Sequence, residues 1–96
     1  MRSRKNSRAE TVVVTGATAG IGRATAVEFA RRGAQVALLA RGQQGLDGAA
    51  AEVEAAGGKA FPVVVDTAEA RAVDDAASQV EAALGPIDVW VNVAFT

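Results

Sequence analysis

The chain has 96 residues, half of them apolar, and a formal net charge of −1. That is enough for one small aliphatic core, and the charge balance gives no case for nucleic acid as a partner. With no cysteine and no histidine, disulfides, cysteine-rich metal sites and imidazole chemistry are excluded. No apolar run approaches the roughly 20 residues of a membrane span. The three valines after the basic start are too few for a secretory signal, so a cytoplasmic protein with no membrane partner is expected. Arg2, Arg4, Lys5 and Arg8 face Glu10 alone in the first ten residues. Residues 1–10 therefore read as a basic, disordered arm, and residues 11–96 as the ordered part.

Thr11 to Thr15 is β-branched throughout, as in a strand buried on both faces. A helix follows the glycines, with Gly22, Ala26, Phe29 and Ala30 on its inner stripe. Arg23, Glu28, Arg31 and Arg32 lie off that stripe, which places Arg23 on the solvent side. Gly33 ends the helix. Gln35–Ala40 reads as a second buried strand. Gln43–Ala56 is a second helix, facing inward through Leu46, Ala49, Ala50, Val53 and Ala56. Lys59–Val65 is a third strand, which Pro62 places at a sheet edge. A helix from about Ala68 to Leu84 faces inward through Val73, Ala76, Ala77, Val80 and Leu84. Val89–Val93 is the fourth strand, with Trp90 assigned to the core.

Strands alternate with helices, so the fold class is α/β, a doubly wound parallel sheet of Rossmann type. Right-handed crossovers allow the order 3-2-1-4, with a crevice where strands one and four part. The loop into that crevice is Thr15-Gly16-Ala17-Thr18-Ala19-Gly20-Ile21-Gly22. Gly16 suits a tight turn, Gly20 leaves room for a phosphate, and Gly22 lets the helix pack against the strand. The helix N–H groups then face the anion. A P-loop is excluded, since Gly22 is followed by Arg23-Ala24. The spacing G-x-x-x-G-x-G also differs from G-x-G-x-x-G.

This segment resembles the T-G-x-x-x-G-I-G motif of the short-chain dehydrogenases/reductases, and the resemblance runs from about Thr11 to Thr96. It implies that Gly16, Thr18, Ala19, Gly20 and Ile21 hold the pyrophosphate and nearby ribose of NAD or NADP, largely through backbone, with Gly22 completing the loop. Ala40 stands where NAD-preferring members carry Asp, and Arg41 where NADP-preferring members often carry a basic residue. NADP is therefore the expected cofactor, and NAD the lesser alternative. Ala19 counts the other way, because many NADP members are basic there. Asp66 matches the acid that accepts from the adenine amino group, with Thr67 beside it; the alternative is an Asp capping the next helix. Val91-Asn92-Val93-Ala94 resembles the family's V-N-N-A-G segment. Asn92 thus matches the residue that steadies the sheet beside the cofactor, and Ala94 joins the implied contacts. Val93 and Phe95 depart from the pattern, at its second Asn and its Gly.

The family transfers hydride with Ser, Tyr and Lys, the last two as Y-x-x-x-K. This chain has no tyrosine, its lysines are Lys5 and Lys59, and its serines are Ser3, Ser7 and Ser78. No catalytic residue is assigned, and no metal. Three readings share the resemblance: the dinucleotide-binding half of an alcohol/carbonyl oxidoreductase, a non-catalytic nucleotide-binding module, and a truncated product without function. A carbonyl or alcohol substrate and a homo-oligomer are expected only of a full-length form. An open fourth strand predicts poor solubility of the 96 residues alone.

Overall fold

A computed structural model describes residues 9–18 and 20–93. Seven elements follow one another: β1 (Thr11–Thr15), α1 (Gly20–Arg31), β2 (Gln35–Ala40), α2 (Gln43–Ala55), β3 (Lys59–Val64), α3 (Ala70–Leu84) and β4 (Val89–Asn92). The four strands form one sheet in the order β3-β2-β1-β4, and every pairing is parallel. This is the doubly wound order expected from the sequence.

Two apolar clusters sandwich the sheet. Val12, Val14, Val36 and Leu38 point to one face, where Ala26 and Ala30 of α1 and Leu46, Ala49 and Val53 of α2 cover them. Val13, Ala37, Leu39 and Val63 point to the other face, beneath Ala76 and Val80 of α3. Alternate residues of β1 and β2 therefore enter opposite cores. That explains why both strands are apolar without alternation. Burial of each such Val or Leu side chain stabilises by roughly 1.5–3 kcal/mol.

Strand β3 lies at an edge, and Pro62 is exposed in it opposite Leu38. A missing N–H is tolerated there because no further described strand pairs with β3. Helix α3 starts at Ala70 rather than about Ala68, because a turn intervenes. The Ala68 N–H donates to Asp66 Oδ1 at 3.0 Å, and the Glu69 N–H donates to the Asp66 carbonyl at 3.0 Å. Asp66 shapes this turn and does not cap α3, whose N-cap is Glu69.

Trp90 is not in the core. It is 39% exposed. Val89 and Val91 pack toward α1 and α2. Trp90 pairs with Val13 and shares its face, but the cluster beneath α3 takes no residue from β4. Its indole is thus on the correct strand and on the α3 face of the sheet, but outside the cluster that α3 covers.

The amino-terminal end of the sheet is closed by a polar network. Thr11 is fully buried. Its N–H donates to Asp88 Oδ2 at 2.8 Å, and the Asp88 N–H returns a bond to the Thr11 carbonyl at 2.8 Å. Gln35 Nε2 donates to Thr11 Oγ1 at 3.0 Å and to the Leu84 carbonyl at 3.1 Å. The last turn of α3 is thereby fixed to β1 and β2.

Candidate functional site

The opposite end of the sheet holds a cleft of about 620 Å³, within the roughly 300–1,000 Å³ usual for small-ligand sites. The strand order reverses here, between β1 and β4. Three loops meet at it. Gly16, Thr18, Gly20 and Ile21 come from the β1–α1 loop; Ala40, Arg41 and Gly42 from the end of β2; Asp66, Thr67 and Ala68 from the end of β3. Val93 closes the side toward β4. Seven of the eleven residues singled out from the sequence thus share one cavity: Gly16, Thr18, Gly20, Ile21, Arg41, Asp66 and Thr67.

The remaining four lie elsewhere. Gly22 is buried behind the loop, where a Cβ would overlap the Gly16 carbonyl. Asn92 does not line the cleft. Its Oδ1 accepts from Thr15 Oγ1 at 2.7 Å, and the same hydroxyl accepts from the Val93 N–H at 3.1 Å. Thr15 and Asn92 therefore tie together the two strand ends from which the crevice opens. Ala19 and Ala94 are outside the described residues, as are Phe95 and the first eight residues.

The loop turns sharply at Gly16, where φ is +64° and a Cβ would come within 3.1 Å of the Val93 carbonyl. Only glycine meets both demands without strain. The Gly16 N–H still donates to the Leu39 carbonyl at 3.0 Å, so the turn begins while the chain is anchored to β2. Helix α1 then starts with no acidic residue in its first turn. Its N-terminal N–H groups and helix dipole are left to attract an anion.

Charge at the far side of the cleft is confined to one pair. Arg41 NH1 lies 3.8 Å from Asp66 Oδ2, and the side chains are 78% and 43% exposed. An exposed pair of this kind contributes only about 0–1 kcal/mol, so either partner can exchange the other for a ligand at little cost. The buried residue before it, Ala40, brings no second acid to that rim.

Arg23 is not on the solvent side. Its Nε donates to Glu52 Oε1 at 3.0 Å and its NH1 to the Thr18 carbonyl at 3.1 Å. Helical spacing placed it off the core stripe, but α2 lies against that flank of α1. Val93, noted only as a departure from a motif, proves to be a wall of the cleft. Ala40 was read only for the acid it lacks, and Gly42 and Ala68, in the loops that follow β2 and β3, were not singled out. Among the described residues no cluster of acids could hold a metal, and no helix is long and apolar enough to cross a membrane.

A glycine-lined crevice at the reversal of a doubly wound parallel sheet, opening onto a bare helix N-terminus, places the chain in the Rossmann-type α/β class, in which ligands bind at such a crevice. The sequence profile of the short chain dehydrogenases matches residues 10–95, and the chain belongs to that family. A short chain dehydrogenase of Pseudocercospora fijiensis is 49% identical over 85 residues, covering 88% of this chain and 28% of that protein. L-sorbose reductase from Gluconobacter frateurii, solved with NADPH and L-sorbose, superposes with a TM-score of 0.85 at 37% identity, covering 93% of this chain and 34% of that one. An NADH-dependent reductase solved with NAD superposes at 0.80 with 29% identity, covering 88% and 36%. The chain thus spans about a third or less of these proteins' length, and its neighbours include both an NADPH and an NAD complex.

Proposed function

We propose that these residues form the NADP-binding part of an alcohol/carbonyl oxidoreductase. Residues 11–96 belong to the cofactor domain, and residues 1–10 form a basic arm outside it. The carrying observation is the cleft itself: a loop that only glycine can form, aimed from a helix N-terminus without acids at the same cavity as Arg41. The residues present fit a dinucleotide. Gly16, Thr18, Ala19, Gly20 and Ile21 would hold its pyrophosphate and adjoining ribose, with Gly22 keeping α1 close behind. Asp66 and Thr67 would receive the adenine. Asn92 and Ala94 would border the nicotinamide side.

Arg41 supplies the preference for NADP. It offers forked, permanently charged donors to a 2′-phosphate, and Ala40 leaves that phosphate unopposed. The bound cofactor would supply the hydride. In the family a tyrosine beside a lysine protonates the substrate oxygen, and these 96 residues contain no tyrosine. We therefore propose that this polypeptide by itself binds cofactor without turnover. The substrate, a small alcohol or carbonyl compound, and any homo-oligomer belong to a longer form.

Calorimetric titration of the 96-residue chain with NADPH and NADH tests the assignment. Tighter binding of NADPH is expected, with the difference abolished in Arg41→Ala. Equal affinity for both in the wild type would overturn the NADP assignment, and no binding of either would overturn the site.

A further inference from the structure

The cofactor loop is braced from behind by a contact that crosses between two helices. Arg23, on the first turn of α1, is only 29% exposed. Its guanidinium reaches back to the Thr18 carbonyl at 3.1 Å and across to Glu52 Oε1 on α2 at 3.0 Å. Thr18 lines the cleft and Arg23 does not. Two of its donor nitrogens are thus committed to protein acceptors, and it acts on the ligand site through the loop.

Helix α2 is shaped to admit this brace. Its sequence, QQGLDGAAAEVEA, carries glycines at 45 and 48 inside the helix, where glycine is the poorest helix former after proline. Both sit against the brace. A Cβ on Gly45 would stand 2.9 Å from Thr18 Cβ, and a Cβ on Gly48 would stand 2.9 Å from Arg23 NH2. Neither glycine has positive φ, so the backbone does not call for them. What calls for them is space, one for the loop and one for the guanidinium.

We propose that Arg23 is a positioning residue for pyrophosphate binding: anchored on Glu52 and admitted by Gly45 and Gly48, it holds the Thr18 carbonyl and so keeps the turn from Gly16 to Thr18 open to the anion. The Thr18 carbonyl is an acceptor, which would repel a phosphate if it rotated into the cleft. A charge-assisted bond from Arg23 keeps it turned toward the helices. The inference rests on the dinucleotide reading of the cleft and adds a part of the machinery that lies outside it.

The test compares two ligands on the 96-residue chain: NADPH, which carries the pyrophosphate, and adenosine 2′-monophosphate, which lacks it. In Arg23→Met, NADPH affinity is expected to fall about tenfold, the usual scale for losing a hydrogen bond to a charged group, while adenosine 2′-monophosphate binding stays within about twofold. Gly48→Ala should weaken NADPH in the same selective way, yet melt no lower than wild type, because alanine is the better helix former. A purely structural brace would instead lower the melting temperature and weaken both ligands together. That result, or undiminished NADPH affinity in Arg23→Met, would overturn the proposal. Should the wild type bind no dinucleotide, the reading of the cleft fails, and Arg23 is judged by amide exchange in the free protein. Faster exchange across residues 16–22 in Arg23→Met supports the brace, and unchanged exchange refutes it.

Discussion

At the amino-terminal end of the sheet, polar groups are matched with one another: Thr11, Gln35, Asp88 and the Leu84 carbonyl form a buried or half-buried set of bonds. At the carboxyl end Thr15 and Asn92 are matched across β1 and β4, but other groups are left for something else. The first turn of α1 carries no acid, the Arg41–Asp66 pair is long and exposed, and Ile21 stands 76% exposed beside the loop. The same four strands thus terminate in a lock at one end and in a receptor at the other. Most groups that close the fold stand a strand's length away from those that face the cleft, and Asp66 is described in both settings, in its own turn and in the cleft wall.

Substitutions at each end should separate stability from binding. The largest loss of stability is expected for Gly22→Ala, where the new Cβ meets the Gly16 carbonyl. Overpacking against backbone should remove at least about 1–3 kcal/mol in urea unfolding and abolish NADPH binding with it. A variant that binds normally would show that the loop can retreat. Thr11→Val comes next. It strips the closed end of a buried hydroxyl and should lower unfolding free energy by about 1–3 kcal/mol, while calorimetry finds NADPH affinity unchanged. If affinity falls as well, the two ends are coupled and the separation drawn above is wrong.

Gly16→Ala forces a side chain into the left-handed region at a cost of about 1–2 kcal/mol. Unlike Thr11→Val, it should also weaken NADPH, as a parallel denaturation and titration would show. Arg41→Ala should be the mildest for the fold, within about 0.5 kcal/mol, although it should abolish the preference for NADPH over NADH. A stability change well beyond that would mean the pair with Asp66 is structural.

Much of this architecture was legible in residue order. Val12 to Val14 and Val36 to Leu39 are apolar without a break because both faces of the central strands are covered, and Pro62 marked an edge that the sheet indeed has. The loop was legible because glycine is the one residue whose absence of a side chain is itself a chemical statement. Contacts between distant segments were not. Arg23 looked like a surface charge because its acid lies 29 residues away on another helix, and no periodicity on α1 reveals what stands beside it. Thr11 looked merely β-branched, although its hydroxyl is a junction of the closed network. The start of α3 was misplaced because the Asp66 side chain imitates a turn of backbone, delaying the helix to Ala70.

The exposed position of Trp90 has an optical consequence. It is the sole tryptophan, and its indole lies on the α3 face of β4 rather than in the cleft. Its emission should therefore be that of a partly hydrated indole, red-shifted from a buried one. It should respond weakly to a dinucleotide and strongly to any polypeptide that covers this face. The colour of one side chain would then report, without a label, whether β4 has found a neighbour.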